Sequence, residues 1–326
     1  MPVTSASTGH VDVVLSQFSH AYMQDAAGFI APSVFPVVNV AHASDVYFKY
    51  PRGNFFRDEV DVRPMGGPSP LTSFNAVTDS YFIEEEGLRT KIDDRERANQ
   101  TSPFNVERNK TNLLVQQHMI HRDRKFVSSF FNSSAGWSRT ITGVASAPGA
   151  TDAIYWNLST GDPIGVIDAE KMSMKQRTGI KPNCLVMGAK AFIAAKNNAN
   201  VLDRIKYTNP AFVTPALLGQ AFDLDRVVIA DAVYNSAAEG ATESLGFIAG
   251  ADDMLLCYAA PNAALEVPSA GYILAWDGLI PGGGLTARVD RMRDEQAHSD
   301  LFEVRTAYAM KMVAPDLGTY FSGICQ

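Results

Sequence analysis

His118, His121 and Asp123 place three potential metal ligands within six residues. Two imidazoles and a carboxylate are an acceptable beginning for a zinc site. Arg122, Arg124 and Lys125 crowd them, however. Cationic neighbours oppose binding of a metal cation, and no second ligand cluster follows. No metal is expected. The carboxylate pairs Asp93-Asp94 and Asp252-Asp253 are adjacent in sequence. Adjacent side chains diverge in a helix or a strand, so neither pair makes an acid/base couple by itself. Asp252-Asp253 follows Gly250-Ala251 and reads as a turn. His298, between Arg293 and Asp300, has no nucleophile beside it. Cys184 and Cys257 lie in apolar, strand-like runs and read as small core residues rather than nucleophiles. Gly282-Gly283-Gly284 follows Pro281 and lacks the Lys-Ser/Thr of a phosphate loop, so it reads as a surface loop. There is no GxSxG elbow, GxxxxGK[ST] loop or HExxH pair. No catalytic residue and no cofactor are expected.

The elements around these residues point to assembly instead. Ser102 to Asn132 predicts one long helix. Ser102-Pro103 is a suitable start, no Gly or Pro interrupts Phe104 to Ala135, and Gly136 supplies a stop. At 1.5 Å per residue such a helix would reach roughly 45 Å, beyond what a globular domain usually asks of one helix. Leu113, Ile120 and Val127, widened by Met119, Phe126 and Phe130, form the expected apolar stripe. Glu107, Arg108, Lys110, Arg122, Asp123, Arg124 and Lys125 form the expected solvated face.

The chain has 326 residues, 46% hydrophobic and 19% charged, enough for a substantial core in two subdomains. Its net charge of −7 argues against broad electrostatic capture of nucleic acid or an anionic membrane. Three cysteines, with no CxxC, fit a reducing compartment better than a disulfide framework. No apolar run approaches the roughly 20 residues of a membrane span. The opening MPVTSASTGHVDVVLSQFSHAY lacks a signal-peptide layout, so a cytoplasmic origin is expected.

Residues 1–43 read as an extended arm, because Pro32 and Pro36 interrupt the apolar stretch from Phe29 to Val40. Residues 44–94 read as a strand-loop-strand excursion, out through Asp45–Tyr50 and Asn54–Arg63, and back through Phe74–Asp94. Met65-Gly66-Gly67-Pro68 marks its tip. With so little core of its own, this pair must pack on its domain or on another subunit. Arg52, Arg57 and Arg63 are expected to meet acidic residues of a neighbour. The tip residues Met65, Gly66 and Gly67 and the acidic run Glu84, Glu85 and Glu86 are further candidates for intersubunit contact. A second helix is expected over residues 162–178. An α/β rhythm of short strands and helices follows from Lys181, and a long alternating strand closes the chain. The fold class is α+β, with a peripheral unit at 95–180, an inserted α/β unit at 181–284 and a return to the first unit over 285–326.

This order resembles the major capsid proteins of tailed double-stranded-DNA bacteriophages, whose fold is named for phage Hong Kong 97 and shared with encapsulin shells. The likeness is carried by APSVFPVVNV (31–40), YFKYPRGNFFRDE (47–59), the helix 102–132, and KPNCLVMGAKAFIAAKNN with VLDRIKYT (181–208). ALLGQAFDLDRVVIADAVYN (216–235) and the closing FEVRTAYAMKMVAPDLGTYFSGI complete it. The resemblance implies an N-terminal arm, an extended β-loop, a spine helix in the peripheral domain and an axial domain. It implies self-assembly into pentamers and hexamers of an icosahedral head built in the host bacterial cytoplasm. It also implies DNA enclosed without sequence-specific binding, a separate scaffolding protein, a portal, and in some relatives a decoration protein. No motif singles out the Lys and Asn that some relatives crosslink. The alternatives are an encapsulin nanocompartment, a cytoplasmic α/β enzyme, or a receptor-binding β-module, against which the long helix speaks.

Overall fold

The computed structural model describes residues 24–73, 75–99, 105–206, 213–262, 267–280, 285 and 288–326. Most of the expected arm, the Ser102-Pro103 helix start and the Pro281–Gly284 loop lie outside these residues.

The arm enters as a short helix, α1 (Ala31–Val34), followed by strand β1 (Val37–Val40). Next come β2 (Ser44–Lys49), a single turn α2 (Arg52–Phe55), β3 (Val77–Phe82) and β4 (Glu84–Asp93). The expected outward strand over 54–63 is not formed beyond α2. A short α3 (Asp94–Ala98) precedes the long helix α4 (Val106–Phe130). Among the described residues this helix begins at Val106. Asn105 has extended backbone and its side chain accepts the Arg108 N–H at 3.0 Å, so Asn105 is the cap. The Asn132 amide donates to the carbonyls of Val127 and Ser128 and closes the other end. Its 25 residues span about 37 Å.

Strands β5 (Thr140–Val144) and β6 (Asp152–Ile154) lead to α5 (Pro163–Thr178). Asp162 caps this helix at the Gly165 N–H, and Gly179 ends it at φ +73°, a left-handed conformation that favours glycine. Then follow β7 (Cys184–Gly188), α6 (Ala189–Asn197), α7 (Ala199–Ile205), α8 (Pro215–Ala221), β8 (Arg226–Ala230), the small pair β9 (Val233–Asn235) and β10 (Leu245–Phe247), and β11 (Met254–Cys257). The chain closes with β12 (Gly271–Trp276), β13 (Arg288–Asp294), β14 (Ser299–Met312) and β15 (Gly318–Ser322).

Two sheets organise these strands, and they cut across the expected boundaries at 180 and 285. One runs β6-β5-β15-β11-β7-β8, so the last strand joins two strands of the expected peripheral unit to three of the expected inserted α/β unit. The other runs β1-β12-β14-β13, with β4 on the remaining edge of β14. Local apolar runs define strands, but pairing depends on long-range partners that periodicity does not name. β7 is buried at every position, as a central strand covered on both faces must be.

The largest apolar cluster joins the sheets. Phe35 from the arm packs on Phe126 and Phe130 of α4, with ring centroids 6.0 and 4.7 Å away, and Trp137, Tyr308 and Tyr320 complete the cluster. A Cβ at Gly271 would lie 2.8 Å from the Phe130 ring, so only glycine lets β12 approach so closely.

The expected apolar stripe of the long helix is buried at Phe126 and Phe130, with Val127 packed against the same cluster, but it departs from expectation elsewhere. Leu114, Phe126 and Phe130 are buried, whereas Leu113 is exposed. Asp123, assigned to the solvated face, is buried: its two oxygens accept the N–H groups of Ile30 and Ala31 at 2.8 and 3.0 Å. These donors stand at the start of α1, whose first N–H groups lack intrahelical partners. Burial pushes the Asp123 carboxyl pKa up, against those two hydrogen bonds and the nearby Arg122 charge. Asp123 therefore pins the arm to the spine helix.

Candidate assembly surface

The chemistry-bearing residues do structural work. His121 meets Glu86 at 3.2 Å and His118 faces Thr306, while Asp123 turns toward the arm. Among the described residues no group of three His, Cys, Asp or Glu side chains is placed to hold a metal ion. Cys184 and Cys257 are buried cross-strand partners, and Cys325 is buried too. Asp93 caps α3, Asp94 pairs with Arg293 at 2.6 Å, and Asp253 accepts the Gly323 N–H at 2.8 Å. His298 sits in the β13–β14 turn at φ +45°. A cleft of 410 Å³ beside Arg124, Asn132 and Tyr234 is open, and the Arg124 guanidinium lies 5.1 Å from the Tyr234 ring centroid. It brings together no nucleophile and base.

The surface that stands out is the excursion. β2 and β3 form a two-stranded antiparallel ribbon with Ser44 opposite Phe82, Val46 opposite Ser80 and Phe48 opposite Thr78. Opposed residues share a face, so Val46, Phe48 and Phe82 form one apolar stripe, and all three are exposed. The other face rests on the subunit through Asp79. Its carboxylate meets Lys49 at 2.6 Å, Lys311 at 3.2 Å and the Tyr47 hydroxyl at 3.0 Å. The Lys49 ammonium leads these contacts in holding the Asp79 pKa well below the carboxylate range. Beyond α2 the chain turns at Gly66, whose φ of +79° requires glycine. There Val60 is 92% exposed and Leu71 fully exposed. Apolar side chains bared in a row mark an interaction surface.

The candidate contact residues divide into two groups. Met65, Gly66 and Gly67 form the tip turn, closed by the Gly67 N–H donating to Pro64 at 3.0 Å. Arg63 donates to the Gly67 carbonyl at 2.7 Å, and Arg57 lies 3.9 Å from Glu59. Arg52 is bound within its own chain, 3.0 Å from Asp316 and 3.1 Å from the Arg177 carbonyl. The acidic run is also engaged internally, because β4 pairs with β14 over ten positions. Glu84 is exposed at its first position, but Glu85 meets Arg305 at 3.0 Å and Glu86 meets Lys125 at 2.6 Å. Burial pushes the Glu86 pKa up, yet the Lys125 and His121 contacts outweigh it and leave it below the usual carboxylate range. For Arg52, Glu85 and Glu86, then, the acidic or basic partner is internal, because the strand or turn that carries each lies against its own subunit.

Sequence reasoning passed over Asp300. Its side chain is buried at the head of β14 and receives Arg97, Arg291 at 2.5 Å and Arg293 at 3.3 Å. Hydrogen bonds from Arg97, and then Arg291, hold its pKa down at about 2. The signal was present: Asp300 shares a strand face with Phe302 and Val304, which makes it a buried carboxylate in need of cations.

No protein-family model matches the sequence. The major capsid protein of Burkholderia phage BcepMu is 28% identical over 244 residues, covering 72% of this chain and 74% of that protein. Among solved structures, a phage-related protein of Bordetella bronchiseptica superposes at a TM-score of 0.67 with 20% identity, over 96% of this chain and 97% of that one. The mature capsid of bacteriophage PhiM1 gives 0.58 with 11% identity, covering 93% and 89%. The SrpI encapsulin of Synechococcus elongatus gives 0.57 with 11% identity, covering 97% of each. With its arm, excursion, spine helix and two sheets, the chain has the Hong Kong 97-like fold, and it is a shell-forming structural protein similar in sequence to a phage major capsid protein.

Proposed function

We propose that the chain self-assembles into pentamers and hexamers that close as the icosahedral head enclosing the DNA of a tailed phage. The observation that carries this reading is the bared excursion: an apolar ribbon face and a tip stretch with no core of their own, on a capsid fold. Such groups are satisfied only against another copy, and many modest interfaces closing together stabilise a shell that no single contact would hold. Arg57, Arg63, Met65, Gly66, Gly67 and Glu84 are the proposed intersubunit contacts. Arg52, Glu85 and Glu86 are proposed to shape that surface from within. A scaffolding protein, a portal and a decoration protein are the proposed partners. The net charge of −7 suits a wall that contains DNA without adsorbing it.

An encapsulin shares the fold and would enclose an enzyme instead. The sequence-level similarity to a phage capsid protein favours the phage reading. Electron microscopy of the purified chain after a sizing column tests it. Closed particles, or rings of five and six, are expected. Co-purifying DNA, portal or scaffold supports the phage head, and an enzyme cargo supports the nanocompartment. A small discrete oligomer, with scaffold supplied, would overturn both.

A further inference from the structure

We propose that Arg52 is a positioning residue that sets the angle at which the extended loop leaves its own subunit. It thereby selects the neighbour geometries that the loop can meet. The inference rests on the shell reading and adds a specific device to it.

The ribbon is held at three places along its length. At its base Ile83, directly after β3, is buried in one cluster with Ile280 and Ala307. At its middle Asp79 bridges to Lys311 of β14. At its far end Arg52 reaches the Arg177 carbonyl, in the last turn of α5, and the Asp316 carboxylate. That carbonyl is one of the four a helix leaves without an intrahelical partner, and a cation is favoured there. Asp316 is itself oriented by the Ser138 hydroxyl at 2.6 Å. Phe56 lies over Gly179 in the same place, its ring 3.4 Å from where a Cβ would sit. Among the described residues beyond Phe56, the side-chain bonds stay within the loop, Arg57 to Glu59, Thr72 to Glu59 and Arg63 to Gly67, until the ribbon resumes at Val77. Arg52 and Phe56 are therefore the last ties before the tip.

Leverage makes that position matter. Six-residue strands give a ribbon about 20 Å long, so a swing of about 10° at the base moves its end by roughly 3.5 Å. That is one residue of strand register. A free two-stranded ribbon is marginally stable and twists readily, so the distal clamp fixes its direction. The tip beyond it remains free to conform to a neighbour.

The test measures the angle separately from assembly. Spin labels at Thr78→Cys on the ribbon and Ile193→Cys on α6 report the distance between them, since the three native cysteines are buried. The labelled chain is diluted into unlabelled protein. The parent gives one narrow distribution. Arg52→Ala broadens it about two-fold by freeing the distal end, and Asp316→Asn, which weakens the same contact from the other side, broadens it in the same way. Arg63→Ala, confined to the tip turn, leaves it narrow. Melting curves distinguish loosening from unfolding. On micrographs Arg52→Ala gives open or mixed-diameter particles where the parent closes uniformly. A distribution as narrow as the parent's in both clamp variants overturns the proposal. If the parent never closes, with scaffold supplied, the shell reading fails, while the distances still decide the clamp.

Discussion

The two limbs of the excursion begin from similar composition and end in opposite states. The returning limb, β4, is zipped to β14 over ten register pairs, buries Ile92 completely, and places Glu85 and Glu86 on cations of its own subunit. The distal limb, from Phe56 to Ala76 around the tip, forms no strand among its described residues and leaves Val60, Val62, Met65 and Leu71 in solvent. An acidic run next to apolar residues thus became internal structure in one limb. Arginines next to apolar residues stayed at the surface in the other. The difference lies in the availability of a partner strand: β14 has an edge to offer the returning limb, and the distal limb finds none among the described residues. The subunit is therefore folded on one side and unfinished on the other.

The largest effect expected from disturbing the folded side comes from the aromatic cluster. Phe130→Ala should cost about 3–5 kcal/mol in denaturant unfolding, because Phe130 is fully buried between Phe35, Phe126 and Trp137 and closes onto Gly271. Next is Asp123→Ala. It leaves the Ile30 and Ala31 N–H groups buried without acceptors, at a cost of about 1–3 kcal/mol. Hydrogen exchange should then rise in residues 29–35 before it rises elsewhere.

Much of this contrast was legible in the sequence. The long helix, the Asp162 and Gly179 caps of α5, the short buried strand at Cys184 and the tip at Gly66 all follow from local rules that the structure obeys. What escaped was set at a distance. Asp123 reads as one more charge on a polar face. Its spacing of three and seven from Phe126 and Phe130, however, puts it on the buried face, where the arm's free N–H groups need an acceptor. The sheet that joins β15 to β7 through β11 depends on pairings over sixty residues apart, which no period reports. The internal partners of Glu85 and Glu86 were hidden for the same reason.

A smaller effect sharpens the comparison through pH. Asp300 has its folded pKa held at about 2, below the ordinary carboxylate value near 3.9. Its contribution is then present above the unfolded value and is lost as pH falls through the folded one. Thermal midpoints should drop as pH is lowered from about 4 to about 2. Asp300→Asn should reduce that slope, because other depressed carboxylates such as Asp94 and Asp290 keep the remainder.

The smallest effect on folding belongs to the unfinished side. Val60→Ser, Val62→Ser and Leu71→Ser together remove apolar side chains that touch little, so the subunit's stability should change by no more than about 0.5 kcal/mol per site. Their effect on assembly should be the largest of all. The deciding measurement is therefore electron microscopy of this triple variant beside the unmodified chain, at matched concentration and with melting curves confirming that both are folded. Closed particles from the unmodified chain, with unassembled subunits or open fragments from the folded variant, are the predicted result. Closure of the variant at the unmodified yield would contradict the claim that the bared loop completes itself on a neighbour.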